Sequence, residues 1–388
     1  MKNKVEALLD DIRRRGDAAV GAALRRFDGV DRRPSEWRIS ALRLREALKA
    51  LPLERRRVLD ECALRVRRFH EAEKRHAPRS WRDRRDGITL GQEVRPVETA
   101  GLYVPGGRFA YPSTVLMTAI PARVAGVRRV VMCTPPKNLT QEVLAAAAMA
   151  GVDEIFSIGG VAAVGAMAYG TKTVPAVDLI VGPGGAWVTE AKRQVFGAVG
   201  IDMLAGPSEI VIVADRTAPP EAVAADLMAQ AEHDPLARAT VVSSEARVLA
   251  AARAAVLPSL RRQCRFVKAS GKKDALERAN GLAPEHLSLM VQNPESWLPL
   301  VRNAGAVFLG SSSPVAAGDY WAGPSHVLPT GRSARFSSGL SIQTFLKRTS
   351  VIGVSRRAMQ NAAPVIAQFA EAEGLARHAA SARVREKI

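Results

Sequence analysis

At 388 residues and 41.6 kDa the chain is longer than one hydrophobic core usually serves, and its 47% apolar and 24% charged residues exclude a disordered or collagen-like protein. No run approaches the roughly 18 uninterrupted apolar residues of a membrane span, no signal-peptide core opens the chain, and Cys62, Cys133 and Cys264 are too isolated for a disulfide framework or a four-cysteine zinc site, so a soluble, cytoplasmic protein with no membrane partner is expected. The net charge of +18 raises a nucleic-acid reading, but with 5% aromatic residues and no recognition motif no specific nucleic-acid partner is expected.

Apolar spacing predicts helices over 3–26, 40–51 and 53–76. In the last, LERRRVLDECALRVRRFHEAEKRH, arginines interleave with acidic residues as on a solvated helix face, which also places His70 and His76 in water. ITLGQEVRPV at 88–97 reads as a hairpin following the Asp86-Gly87 turn. From about residue 98 short apolar strands alternate with helices: strands 100–104, 129–133, 154–158 and 177–181, and helices 113–125, 140–150, 161–169 and 186–196. After a break at 202–208 the pattern restarts with strands 209–214, 239–243, 287–291 and AVFLG within 305–310, and helices 219–232 and 245–255. This alternation predicts an α/β fold of two tandem Rossmann-like parallel-sheet domains. The expected organisation is a helical arm and hairpin at 1–97, partly packed on the second α/β unit, α/β units at 98–207 and 208–354, and a helical tail at 355–388. That tail buries too little apolar surface to stand alone, so it is expected to pack on another domain or subunit.

Parallel sheets bind ligands at the carboxyl ends of their strands. Three glycine-rich turns fall at such ends: Pro105-Gly106-Gly107, Gly159-Gly160 and Gly182-Pro183-Gly184-Gly185. None completes a dinucleotide fingerprint, and each also reads as a tight strand-to-helix turn. Four of the six histidines, His233, His286, His326 and His378, lie near element boundaries or metal-competent side chains. Gln230 and His233 share a face at the end of one helix. Together with Asp319 and His378 they form a nitrogen and oxygen donor set of the kind zinc accepts, although spacing alone does not establish it.

The runs GLYVPGGRFAYPSTVLMTAIPARVAGV, VDLIVGPGGAWVTEAKRQVFGAVGIDMLAGPSEIVIVAD, LMAQAEHDP, LAPEHLSLM, AGDYWAGPSHVLPTGRSARFSSGLS and EGLARHAASARVR resemble, in order, those of the histidinol dehydrogenase family. The resemblance spans residues 5 to 385. It implies an enzyme of histidine biosynthesis that uses zinc and NAD to oxidise histidinol to histidine by way of the aldehyde. It further implies an intertwined homodimer with a shared active site. Position by position, Gln230, His233, Asp319 and His378 match the family's zinc ligands, the last from the partner subunit. Glu285 and His286 match its acid/base pair. Ser208, His326 and Glu373 match substrate contacts, which also include Gln230, His233, His286, Asp319 and His378. A base that titrates near working pH is expected of His286, and water activation of Glu285.

Tyr103 matches a nucleotide contact, whereas Ala162 and Gly185 stand where the family has Gln and Asn. Cofactor affinity is therefore expected to be weak, with Arg108 placed to compensate at a phosphate. Two alternatives remain at this point: a paralogue acting on another amino alcohol or diol, and a catalytically impaired homologue kept for binding. Glu373 argues against a sulfonated substrate, because a carboxylate repels an anion and attracts an ammonium.

Overall fold

The computed structural model describes residues 1–106 and 110–386, so Gly107 of the first glycine-rich turn and Arg108 lie outside the described residues. The helices are α1 Lys2–Arg15, α2 Asp17–Ala23, α3 Ala41–Ala50, α4 Leu53–His76, α5 Pro112–Ala125, α6 Gln141–Ala150, α7 Gly160–Tyr169, α8 Ala186–Val195, α9 Pro220–His233, α10 Ala246–Ala255, α11 Lys272–Leu282, α12 Val315–Tyr320, α13 Arg356–Ala372 and α14 Ala376–Glu386. The strands are β1 Trp81–Arg85, β2 Ile88–Pro96, β3 Thr99–Tyr103, β4 Arg129–Thr134, β5 Glu154–Ser157, β6 Leu179–Val181, β7 Gly200–Ile201, β8 Glu209–Ala214, β9 Arg238–Ser243, β10 Cys264–Lys268, β11 His286–Met290, β12 Ala306–Leu309 and β13 Leu346–Val354. They fall into two compact units, the first formed by residues 1–75 and 97–345, the second by 76–96 and 346–388.

Two five-stranded parallel sheets dominate the first unit, ordered β5-β4-β3-β6-β7 and β10-β9-β8-β11-β12. Each is the doubly wound Rossmann-like arrangement expected of the strand–helix alternation. Strand order reverses between β3 and β6 in one sheet and between β8 and β11 in the other, and such switch points open crevices. β4 and β8 are almost wholly buried, which is why they read as unbroken apolar runs. The seven residues 202–208 lead from the carboxyl end of β7 to the amino end of β8. They join opposite edges of the two sheets.

Local chemistry shapes the helical arm. The single helix expected over 3–26 is broken at Gly16, whose φ of +54° suits a residue without Cβ, and it ends in a π-turn at Leu24–Asp28 closed by Gly29. Val5, Leu9 and Ile12 of α1 share one core with Phe156, Val164 and Met167, so α1 and α2 cover the first sheet. α4 instead meets the segment after β12: the Arg65 guanidinium stacks 3.5 Å over the Trp321 ring, and Glu73 accepts the Ile342 N–H at 3.3 Å. Its charged face pairs internally, as in Arg65–Glu61 at 2.6 Å. His70 departs from the expectation of a solvated residue, because it lies on the face of α4 shared with Val66, is fully buried and sets Nδ1 2.8 Å from the Glu73 carboxylate.

In the second unit β1, β2 and β13 form an antiparallel sheet. The Asp86-Gly87 turn joins β1 to β2 and so lies at the tip of the hairpin, not before it, while β13 pairs along the whole of β2. The tail is a helical pair broken at Gly374, with Ala363, Ala367, Ala370, Ala379 and Ala382 packed between α13 and α14. Small side chains let the two helices approach closely. Val365 and Phe369 of α13 remain largely exposed.

Candidate active site

Glu285 ends the loop before β11, beside the amino end of β8. Ser208 donates its hydroxyl to the Glu285 carboxylate, and the Glu209 N–H adds a bond of 3.1 Å to the same oxygen. His286, the first residue of β11, places Nδ1 3.8 Å from that carboxylate and is buried with no hydrogen-bond partner for this nitrogen. Its ring tilts against Phe308 with centroids 5.9 Å apart. Burial acts on the two groups in opposite directions, as it must for an acid and a base. It pushes the Glu285 carboxyl up to about 7, against the bonds from Ser208 and Glu209, and pushes His286 down to about 4. The group that titrates near neutrality is therefore Glu285, whereas His286 had been expected to do so.

Helices that run back from the sheet bring the remaining groups to the same edge. α9 returns from β8 towards β9, so Gln230 and His233 at its end arrive beside Ser208, where the Arg238 N–H bonds the Ser208 carbonyl at 3.1 Å. Gln230 is buried and its side-chain nitrogen has no partner. Asp319, near the end of α12, is largely withdrawn from water. Burial raises its pKa, and the charges of His286 and His233 oppose that rise. His326 Nδ1 lies 3.9 Å from Asp319, and Thr114 of α5 lies 3.4 Å from His326 Nε2. Burial also pushes His326 down to about 4. A cavity of about 690 Å³ opens beside this group, lined by Val58, Leu59 and Cys62 of α4, Leu116 of α5, His233 and Asp319. Ser208, Gln230, His233, Glu285, His286, Asp319 and His326 thus gather around the amino edge of the second sheet. A sequence rule that seeks ligands at carboxyl edges does not lead there.

The nucleotide candidates lie at the carboxyl edge of the first sheet. Tyr103 is buried, its hydroxyl accepts the Gly160 N–H at 3.1 Å, and burial pushes its pKa up to about 12. Neither α7 nor α8 has a side-chain cap, so the amino ends of both helices leave backbone donors of the kind that bind phosphate. Gly185 faces open space, whereas Ala162 is buried in the core beneath. Glu373 and His378 belong to the second unit, exposed on either side of Gly374 at the corner of α13 and α14.

Among the described residues no three His, Cys, Asp or Glu side chains stand close enough to hold a metal ion by themselves. A metal here needs Gln230 and a further donor. The donors are nevertheless of the right type, since the amide oxygen of Gln230, the imidazole of His233 and the carboxylate of Asp319 make up a nitrogen and oxygen set.

Sequence reasoning missed the buried pair Lys192 and Asp202 behind the Gly182 turn, because lysine on a helix reads as solvated. Thr114 also gave no signal, since its neighbour His326 lies 212 positions away.

A model of the histidinol dehydrogenase family matches residues 1–386. The chain is 48% identical to the histidinol dehydrogenase of Ralstonia nicotianae, covering 97% of this chain and 90% of that protein. It is also 48% identical to that of Cupriavidus pinatubonensis, covering 99% and 90%. The crystal structure of histidinol dehydrogenase from Elizabethkingia anophelis, 34% identical, matches with a TM-score of 0.92 over 99% of this chain and 92% of that one.

Proposed function

Because the chain belongs to the histidinol dehydrogenase family and is an NAD-dependent dehydrogenase, we propose that it oxidises histidinol to histidine through the aldehyde, using zinc and NAD. The observation that carries the reading is the gathering of Glu285, held by Ser208 and the Glu209 N–H, and buried His286, 3.8 Å from its carboxylate, with the donors Gln230, His233 and Asp319 at one sheet edge. A carboxyl near 7 is partly ionised at neutral pH and can both take up and return a proton.

Gln230, His233 and Asp319 would hold the zinc with His378, the last supplied by the partner subunit of a homodimer. When bound, zinc orients the imidazole and amine of the substrate and NAD accepts the hydrides. His286, kept neutral by burial, takes the alcohol proton as the first hydride leaves. Glu285 removes a proton from the water that adds to the aldehyde, so the second oxygen of the product carboxylate comes from that water. Ser208 and the Glu209 N–H orient Glu285 for this step, and His326 together with Glu373 contacts the substrate. The carboxylate of Glu373 disfavours an anionic substrate such as a sulfonate. The exposed Val365 and Phe369 on the tail supply apolar surface for a second copy of the chain.

The test is NADH formation by the zinc-loaded protein with histidinol. Two NADH per histidinol consumed, with histidine as product, is the expected result. No turnover of histidinol, or turnover confined to a different amino alcohol, overturns the assignment.

A further inference from the structure

Lys192 and Asp202 are almost completely withdrawn from solvent, with side chains 3% and 0% exposed. Lys192 lies on the inward face of α8 with Val188, Ala191 and Val195. Its ammonium donates to Asp202 and, at 2.9 Å, to the carbonyl of Gly182. The second Asp202 oxygen accepts the Gly182 N–H at 2.7 Å. One ion pair therefore grips a single residue at both its donor and its acceptor. That residue can only be glycine: φ is +111°, and a Cβ would lie 2.2 Å from the Tyr103 carbonyl oxygen. Tyr103 in turn accepts the Gly160 N–H, so the turns that open α7 and α8 are referenced to one tyrosine and one ion pair.

A buried ion pair is a weak source of stability, because desolvation offsets the Coulombic gain and apolar side chains of similar volume often replace it without loss. The geometry points to another use. We propose that Lys192 and Asp202 are positioning residues for the dinucleotide. By fixing the Gly182 peptide they set the course of the Gly182–Gly185 turn, and hence where the uncapped amino end of α8 aims its N–H groups before a phosphate arrives. Neither side chain touches the cofactor. The proposal rests on the NAD reading above and assigns a task to two residues which that reading leaves unused.

The test titrates NADH into zinc-loaded, full-length protein and follows binding by fluorescence, alongside steady-state kinetics. The variants are Lys192→Met, Asp202→Asn and the apolar double replacement Lys192→Met/Asp202→Leu. Each should raise the NADH Kd and the NAD KM by about tenfold or more while kcat and the histidinol KM move by less than about threefold. The double variant should keep the melting temperature of the unmodified protein to within about 5 °C and still not regain affinity for NADH. Unmodified NADH affinity in the double variant, or a parallel rise in histidinol KM, overturns the proposal by leaving only a packing role. Should Lys192→Met fail to fold, Asp202→Asn, which keeps an acceptor for the Gly182 N–H, decides the question. An unmodified protein that binds no NADH overturns the NAD reading itself, and that outcome is visible before any variant is made.

Discussion

Ser208 donates its hydroxyl to Glu285, 77 residues further along the chain, across the junction of β8 and β11. The serine expected to touch substrate is thus bonded to the carboxyl proposed to handle protons. That bond and the one from the Glu209 N–H favour the charged carboxylate, yet burial outweighs both and lifts the group to about 7. The midpoint of its ionisation therefore falls near neutrality.

Glu285→Gln should slow oxidation of the aldehyde far more than oxidation of the alcohol, because only the aldehyde step consumes an activated water. The aldehyde step in the unmodified protein should accelerate as pH rises through about 7, and the variant should lose that rise. Stability moves the other way. An acid lifted from 4.5 in the unfolded chain to about 7 in the fold contributes stability that is fully present below pH 4.5 and lost as pH rises through 7. Glu285→Gln should therefore stabilise the metal-free protein above pH 7, by up to about 3 kcal/mol. Equal loss of both oxidation steps, or unchanged thermal melting at pH 8, would count against this account.

How much of this was legible depends on how local each signal is. α4 was readable because its helical spacing and acid–base interleaving are contained in its own 24 residues. β13 was not, since LKRTSVIGV is largely exposed and becomes a strand by pairing with β2, some 250 positions earlier. The site shows the same division. Motifs located Glu285, His286, Gln230, His233 and Asp319, because each lies within a short contiguous run such as LMAQAEHDP or LAPEHLSLM. The direction of the His286 shift is a consequence of burial, created by β8, β12 and Phe308 together, and no short stretch of sequence encodes it.

Zinc content offers a second check. About one zinc per subunit is expected of the purified protein, following the four-donor rule for such sites. His233→Ala and Asp319→Asn should each lower occupancy under equal metal supply, and a chelator should abolish turnover of the unmodified protein. Elemental analysis of the variants that matches the unmodified protein would remove those residues from the ligand set.

The placement of Glu373 and His378 at one helical corner suggests an experiment on subunit sharing. A Glu285→Gln/His286→Ala variant and a His378→Ala variant, each inactive alone, should regain activity when mixed under conditions that exchange subunits. In a hybrid dimer one site then holds both intact halves. Absence of recovery with exchange demonstrated by mass spectrometry would assign His378 to its own chain.

The nucleotide edge gives the last prediction, in which two departures from the family pattern separate on structural grounds. Gly185 precedes α8 with φ of −66° and faces open space, so an asparagine there meets neither strain nor collision. Ala162 is 4% exposed and packs in the core with Tyr103 and Phe156. Lengthening it to glutamine forces neighbours apart, and such overpacking costs about 1–3 kcal/mol. Gly185→Asn should therefore lower the NAD KM by about 2- to 12-fold, the worth of one net hydrogen bond of about 0.5–1.5 kcal/mol, with kcat unchanged because the contact serves ground and transition states alike. Ala162→Gln should instead lower the melting temperature by several degrees, and adding it to Gly185→Asn should bring a smaller affinity gain than the first change did. Steady-state kinetics with NAD and thermal melts of the two single variants and the double variant decide between these outcomes. A Gly185→Asn protein with an unaltered NAD KM would show that the dinucleotide does not pass over the amino end of α8.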